Sequence, residues 1–222
     1  MNDEFYIGYS PQAPAGLSGF VMRIVAVLIG LGVMVAILLV YSQAPFAASV
    51  FQYQQYRDYT GTIESWPYPM LLTGDHRFLL VAPGKHGFTE NAMHVRLKGA
   101  LIRRDGVEML EVLPGSLTPI DDAPRVPDME ADLGPMTMTG EIVDSKCYLG
   151  VMNPGQGKVH RDCAVRCISG GVPPAFVVRD ASGESKTILL IGAKGMQIGE
   201  PVQISGRLIR KGPLYVLEAT KE

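Results

Sequence analysis

The residues of this chain that can do metal or redox chemistry are crowded into one short stretch. All three cysteines and one of the four histidines fall within residues 144–174, which read DSKCYLGVMNPGQGKVHRDCAVRCISGGVPP. Three thiolates and one imidazole form a ligand set that zinc and copper use and that some iron–sulfur centres use. The sequence therefore predicts a Cys3His metal site formed by Cys147, His160, Cys163 and Cys167. These residue types admit zinc, copper or iron and do not choose among them.

The spacing of these residues favours a helix that brings them together. Residues 158–169 contain no Pro or Gly and are followed by a Gly-Gly pair, which is a common helix stop. On such a helix His160, Cys163 and Cys167 stand at positions i, i+3 and i+7 and share one face. Cys147 ends the preceding strand-like segment, and we expect it to approach that face.

Two other interpretations of the cysteines remain open at the level of the sequence. In an oxidising compartment Cys147 would pair with Cys163 or Cys167 as a disulfide staple and leave one odd thiol. Cys163 and Cys167 are awkwardly placed to pair with each other, because their Cβ directions on a helix are nearly parallel. The other interpretation is a thiol-redox enzyme that uses Cys163 or Cys167, which needs a thiol with a lowered pKa. Basic residues expected to favour thiolates are Lys158, Arg161 and Arg166.

The stretch resembles a Cys/His module that recurs in small exported bacterial proteins of unknown function. The shared pattern is D-x-x-C-Y followed by H-x2-C-A-x2-C-x3-G-x-P. In this chain it is formed by Asp144, Cys147, Tyr148, His160, Cys163, Ala164, Cys167, Gly171 and Pro173. The resemblance covers residues 144–173 and implies that the cysteines act as a unit. It brings no assigned activity with it.

The elements that must position this stretch belong to an internal repeat. The segment TGTI (residues 60–63) is echoed by TGEI (139–142), and VRLKGALIRRDGVEMLEV (95–112) by VQISGRLIRKGPLYVLEA (202–219). Runs of β-forming residues around hairpin-type turns predict strands in each copy. The matched glycines, at 99 and 206, predict a bend or bulge that curls a short sheet into a barrel. The predicted fold class is mainly β, with two tandem small β-barrels of OB-like type.

The second copy is longer than the first, and the extra residues coincide with the cysteines. Thr60 and Gly99 are 39 positions apart, whereas Thr139 and Gly206 are 67 apart. The second barrel therefore carries a helical Cys/His insertion of about 28 residues at about 146–174. Because the first copy closes without it, we expect the insertion to serve function and to be unnecessary for the fold. The predicted domains are a first barrel at 49–117, an acidic Pro-rich linker at 118–135 and a second barrel at 136–222.

The N-terminal part is predicted to anchor the chain in a membrane. Residues 24–41, IVAVLIGLGVMVAILLVY, carry no charge and at about 1.5 Å per residue span a hydrocarbon core of about 30 Å. The run exceeds the apolar core of a cleavable signal peptide, and residues 42–48 offer only poor cleavage sites. Arg23 favours a cytoplasmic N-terminus. We expect a cytoplasmic tail at 1–19, a single-pass anchor at 20–48 in a bacterial inner membrane, and both barrels in the periplasm.

The charge balance and the motifs of the sequence argue against several classes of function. Lys and Arg total 20 against 22 for Asp and Glu, giving a net charge of −2, so no basic excess points to nucleic acid. The chain lacks a Ser-His-Asp order, a nucleotide-binding loop and a paired-carboxylate signature. The predicted function is a membrane-anchored accessory, assembly or electron-transfer subunit of a redox system, partnered by other membrane or periplasmic subunits. The alternative is a non-catalytic interaction module whose insertion is stapled by a disulfide.

One architectural resemblance carries a specific cofactor expectation. A membrane-anchored OB barrel facing the periplasm is similar to the haem chaperone of cytochrome c maturation. That family attaches haem through a histidine motif near the end of its barrel. This chain ends in VLEATKE and has no such motif, so haem carriage is not expected.

Overall fold

The computed structural model describes residues 14–42, 49–74, 76–90, 93–121, 130–192, 195 and 197–220 of the 222-residue chain. The chain divides into two compact units, Met1–Phe46 and Ala47–Glu222. Residues 1–13 of the predicted cytoplasmic tail and residues 43–48 at the end of the predicted anchor lie outside the described residues.

The first unit contains one long helix, α1 (Ala15–Ser42). Its 28 residues include a stretch with a mean hydropathy of 3.0, so α1 is long and apolar enough to cross a membrane. The Ser18 N–H donates to the carbonyl oxygen of Pro14 at 2.9 Å. Such a proline suits a helix start, where an N–H would have no partner in the helix. The helix begins before the predicted anchor and takes in Arg23 in its third turn.

The second unit begins with a closed five-stranded barrel. Its strands are β2 (Arg57–Glu64), β3 (Met70–Thr73), β4 (His76–Val81), β5 (His94–Arg104) and β6 (Val107–Val112). The strand order is β2-β3-β4-β6-β5, and β5 returns to pair with β2. The β4–β6 pair is parallel and the other pairs are antiparallel. Two short strands, β1 (Val50–Phe51) and β7 (Thr118–Pro119), add to β5 outside the barrel.

The second barrel repeats this topology strand for strand. Its strands are β8 (Glu130–Asp144), β9 (Pro174–Arg179), β10 (Ser185–Ile191), β11 (Pro201–Lys211) and β12 (Leu214–Ala219). They close in the order β8-β9-β10-β12-β11, again with one parallel pair, β10–β12. The repeated sequence segments therefore occupy equivalent strands, β2 with β8, β5 with β11 and β6 with β12. The predicted fold class is confirmed, because the chain is mainly β with one apolar N-terminal helix and two small barrels.

Repeated glycines allow the strands of each barrel to approach closely. A Cβ atom on Gly61 would lie 2.1 Å from the carbonyl oxygen of Leu72, and one on Gly140 would lie 2.5 Å from that of Val177. Both distances are far below van der Waals contact, and the obstacle is backbone in each case. Only glycine fits these positions, so the repeated TG pair marks the same close approach in both barrels.

One hydrophobic cluster is shared by the two barrels, and each barrel also has a cluster of its own. The buried members of the shared cluster include, from the first barrel, Met70, Leu79, Val81, Ile102 and Met109 and, from the second, Val143, Ala175, Val177, Leu189 and Val216. The Tyr68 hydroxyl of the first barrel donates to the carbonyl oxygen of Leu190 in the second at 2.5 Å. Lys211 of β11 forms an ion pair with Glu64 of β2. Cys147, Tyr148 and Cys167 belong to the same core, so the insertion is part of the packing between the barrels. This differs from the expectation of an insertion that the fold does not need.

Part of the predicted linker, residues 118–135, is regular structure. Its first two residues form β7 on the first barrel, and Glu130 already begins β8 of the second. The residues between, 122–129, lie outside the described part of the chain.

Candidate metal centre

The insertion leaves the second barrel at the end of β8 and returns at the start of β9. Asp144 is the last residue of β8, and a π-helical turn (Cys147–Val151) follows it. After a loop, helix α2 (Arg161–Ser169) runs to the Gly-Gly pair that precedes β9. The predicted helix over 158–169 is therefore present in a shorter form, with His160 at its N-cap. Cys163 and Cys167 lie one turn apart on it, as the spacing predicted.

The three thiols converge. The Sγ atoms of Cys147, Cys163 and Cys167 lie within 4.8 Å of one another, and all three are free thiols. Cys147 and Cys167 are 4% and 1% exposed, whereas Cys163 is half-buried. Around a tetrahedral zinc with Zn–S bonds of about 2.3 Å, the sulfurs would be about 3.8 Å apart. The three thiols need to close by at most about 1 Å to bind one ion.

His160 belongs to a second group that shares Cys147. Asp144, Cys147 and His160 each place a ligand atom within 4.8 Å of the other two, and all three residues are buried. His160 Nε2 lies 3.0 Å from Asp144 Oδ2, and the Cys147 N–H donates to Asp144 Oδ1 at 2.8 Å. The Asp144 carboxylate therefore orients both the backbone of Cys147 and the imidazole of His160.

Asp144 is the residue of the centre that the sequence prediction did not include among the ligands. Its side chain is fully buried at the end of β8, directly beside two predicted ligands. A signal was present, because Asp144 opens the D-x-x-C-Y pattern of the resembling module. The distance of 16 residues between Asp144 and His160 gave no indication that they would touch.

Burial, and not the basic neighbours, sets the protonation of Cys147 and Cys167. Burial raises the pKa of Cys147 far above its ordinary value, and the nearby Asp144 carboxylate raises it further. Burial likewise raises the pKa of Cys167 to about 11, with the Asp144 carboxylate adding to it. The expected help from basic residues is not seen at these two thiols, and Arg161 instead pairs with Glu200 at 3.1 Å. Without a metal these two thiols are protonated at neutral pH, so an ion must displace their protons to bind.

A buried lysine fastens the cysteine segment to the first barrel. Lys146 is 2% exposed, and its ammonium group lies 2.6 Å from Glu111 Oε2. The same group donates to the carbonyl oxygens of Ala82 and Gly84, each at 2.8 Å. Because Cys147 follows directly, the position of this thiol is tied to β6 and to the loop after β4.

The aromatic residue after Cys147 makes a second attachment to the first barrel. Tyr148 is fully buried, and the Arg104 guanidinium lies 4.0 Å from the centre of its ring. Arg104 also donates to the carbonyl oxygen of Tyr148 at 3.0 Å, and the Tyr148 hydroxyl lies 3.3 Å from Asp105 Oδ2. The beginning of the π-helical turn is therefore held by Arg104 of β5 and Glu111 of β6.

The end of α2 fits closely against the loop after β4. The Gly87 N–H donates to the carbonyl oxygen of Gly170 at 2.9 Å. A Cβ atom on Gly170 would lie 1.9 Å from the carbonyl oxygen of Lys85, and one on Gly87 would lie 2.2 Å from that of Gly171. The Gly-Gly pair that predicted a helix stop also permits this contact between the barrels.

The two described cavities lie away from the thiols. One, of about 520 Å³, is lined by residues of β8 and β11 such as Met136 and Arg207. The other, of about 290 Å³, is formed by the turn between β5 and β6. The ligand atoms of the candidate centre thus sit in the protein core, with Cys163 as the thiol closest to solvent.

The fold and the site define a class of protein with an N-terminal apolar helix, two fused OB-like barrels and a buried, thiol-rich group between them. Comparisons with protein-family models, with curated proteins and with solved structures found no match. Function is therefore inferred from the chemistry of the site itself.

Proposed function

We propose that this protein is a membrane-anchored, exported metal-binding subunit of a redox system. One observation supports this most directly, namely the convergence of three thiols from two separate elements within 4.8 Å in a shared core. The proposed donors are Cys147, His160, Cys163 and Cys167. Three reduced thiols that only filled space would gain little from such proximity, whereas a thiophilic ion needs it.

The donor set points to a soft or borderline ion. Thiolates select zinc, Cu(I) and iron–sulfur clusters over calcium, magnesium and manganese. Three sulfurs with one imidazole suit four-coordinate zinc, and three sulfurs alone suit Cu(I). Of the ions expected from the sequence, zinc and copper fit this compact arrangement of donors better than an iron–sulfur cluster, for which four thiolates are usual.

The location of the donors favours a role in holding or passing an ion or electron over hydrolysis. Cys147 and Cys167 are almost fully buried and His160 is 4% exposed. A hydrolytic metal ion needs an open coordination position facing a substrate cleft. Among the four proposed donors Cys163 alone is half-buried, so it is the donor most open to solvent. An accessory, assembly or electron-transfer subunit fits this geometry.

The proposed location follows from α1 and its flanking charge. α1 has the length and composition of a membrane span, and Arg23 near its start favours a cytoplasmic N-terminus. Residues 49–222 would then lie in the periplasm of a bacterial inner membrane. A subunit held there by one helix would work beside other membrane or periplasmic subunits.

Metal analysis of the full-length chain tests the proposal. The protein is purified anaerobically in detergent without chelators, and metal content and free thiols are measured together. We expect at least one zinc or copper ion per chain, with loss of bound metal in both Cys167→Ser and His160→Ala. His76→Ala serves as the control for His160→Ala, because His76 is exposed and pairs with Glu108 on the first barrel.

The alternative function gives a different result in the same experiment. An interaction module stapled by a disulfide would contain no metal, one disulfide and one free thiol. It would also be indifferent to His160→Ala. That outcome would overturn the metal-binding proposal.

A further inference from the structure

The metal-binding side chains of the described residues fall into two groups that meet at one thiol. Cys147, Cys163 and Cys167 form the first group, and Asp144, Cys147 and His160 form the second. We propose that the centre is dinuclear, with a second divalent metal ion bound between Asp144 and His160 and bridged to the first ion by the Cys147 thiolate. This inference rests on the proposed function, because it distributes the same four donors, with Asp144 as a fifth, over two ions.

The spacing of the second group suits an ion. Asp144 Oδ2 and His160 Nε2 are 3.0 Å apart. Two such ligands bound to one tetrahedral zinc at about 2.0–2.1 Å would be about 3.4 Å apart. An ion between them therefore replaces the present hydrogen bond with little movement of either side chain, because Nε2 binds it through its lone pair and the neutral imidazole keeps its single proton on Nδ1.

The other carboxylate oxygen of Asp144, Oδ1, already accepts a hydrogen bond. Asp144 Oδ1 accepts the Cys147 N–H at 2.8 Å, which holds the carboxylate in place. Oδ2 is thereby presented to His160 and remains the oxygen that can bind a metal. Such a fixed carboxylate at the end of a strand costs little reorganisation when the ion binds.

Charge balance favours two ions over one. With His160 neutral, three thiolates and one carboxylate carry four negative charges, and a single divalent ion leaves two of them uncompensated in the core. A second divalent ion brings the sum to zero. Lys146 does not supply the missing charge, because its ammonium is paired with Glu111 at 2.6 Å. Burying uncompensated charge is costly, so the neutral assembly is the favoured one.

Titration of the full-length protein with Co²⁺ tests the second ion. The reduced, metal-free chain is titrated anaerobically in detergent, and sulfur-to-cobalt charge-transfer absorption and the electron paramagnetic resonance signal are followed. We expect saturation at two equivalents. We also expect the resonance signal of the first equivalent to diminish as the second binds, because a shared thiolate couples the two high-spin ions. Asp144→Asn is expected to bind one equivalent, with the charge-transfer absorption of the three-thiolate ion kept.

The control and the outcomes separate this inference from the proposed function. Asp162→Asn is the matched control, because Asp162 is an exposed carboxylate on α2 beside the same ligands. One equivalent in the unaltered protein, unchanged by Asp144→Asn, would overturn the second ion and leave the metal-binding function standing. Two equivalents without magnetic coupling would place the second ion elsewhere in the protein and would also overturn the dinuclear centre. No binding at all would remove both proposals. If Asp144→Asn does not fold, the stoichiometry and coupling of the unaltered protein decide the question alone.

Discussion

Replacement of Lys146 by methionine is the most direct test of how the two barrels hold the cysteine segment. Methionine keeps most of the length and apolar stem of lysine but removes the ammonium group. Three partners lose their hydrogen-bond or ionic contact, namely Glu111 and the carbonyl oxygens of Ala82 and Gly84. We expect Lys146→Met to destabilise the second unit strongly.

The magnitude follows from the burial of the pair. Lys146 is 2% exposed and Glu111 is 7% exposed, so the carboxylate left behind has little access to water. Removal of one partner from a buried ion pair costs about 3–5 kcal/mol. Against a typical total stability of about 5–15 kcal/mol, this is a large fraction. The midpoint of urea unfolding should fall by about 2 M.

The single tryptophan of the chain provides the assay. Trp66 lies in the first barrel with the Lys211 ammonium of the second 4.6 Å from its ring centre, so its fluorescence reports on the contact between the barrels. Urea unfolding of the full-length protein in detergent is compared for the unaltered chain, Lys146→Met and the control Lys98→Met, whose lysine is exposed. Adding Glu111→Leu to Lys146→Met should restore part of the loss, because the stranded charge is removed. Equal midpoints for Lys146→Met and Lys98→Met would refute the reasoning.

Four further results are expected. Tyr68→Phe removes the hydrogen bond to the Leu190 carbonyl and should cost about 1–2 kcal/mol in urea unfolding; no loss would contradict that contact. Burial raises the pKa of Tyr68 to about 12, above an unfolded value of about 10, so stability should fall between pH 10 and 12. The fall in stability should be smaller in Tyr68→Phe, and equal falls in the two proteins would show that Tyr68 does not cause it. In the metal-free chain at pH 8, iodoacetamide should alkylate the half-buried Cys163 before the other two thiols, as peptide mass spectrometry would show; the reverse order would contradict the burial seen here. Gly170→Ala should cost about 1–3 kcal/mol in thermal or urea unfolding, because its Cβ meets the Lys85 carbonyl oxygen. An unchanged midpoint would show that this contact is loose.

The repeat could be predicted from the sequence because its turns and glycines are required by local backbone geometry. The turn at Asp105 and Gly106 separates two strands by two residues, and both have positive φ, 52° and 76°. This is the conformation that an Asp-Gly hairpin requires, so sequence and structure agree there for a stated reason. The matched TG pairs were equally informative, since only glycine fits at Gly61 and Gly140.

The contact between the barrels could not be predicted from local sequence in the same way. Lys146 and Glu111 are far apart in sequence, and nothing in their local context indicates that they pair. The error about thiol protonation has the same origin. Basic residues near Cys163 in sequence suggested lowered thiol pKa values, but desolvation in a core shared by two barrels dominates at Cys147 and Cys167. Burial is a property of the tertiary fold, and sequence neighbours do not report it.

The position of the candidate centre between the barrels means that the proposed metal binding would be coupled to their association. Cys147 and Tyr148 belong to one turn, and that turn is held by Arg104 of the first barrel. An ion that binds the folded centre more tightly than the unfolded chain must stabilise this contact. By reciprocity, association of the barrels must strengthen ion binding by the same coupling free energy. The first barrel, which has no insertion of its own, would therefore take part in the proposed chemistry, because its residues hold the segment that carries the proposed ligands of the second barrel.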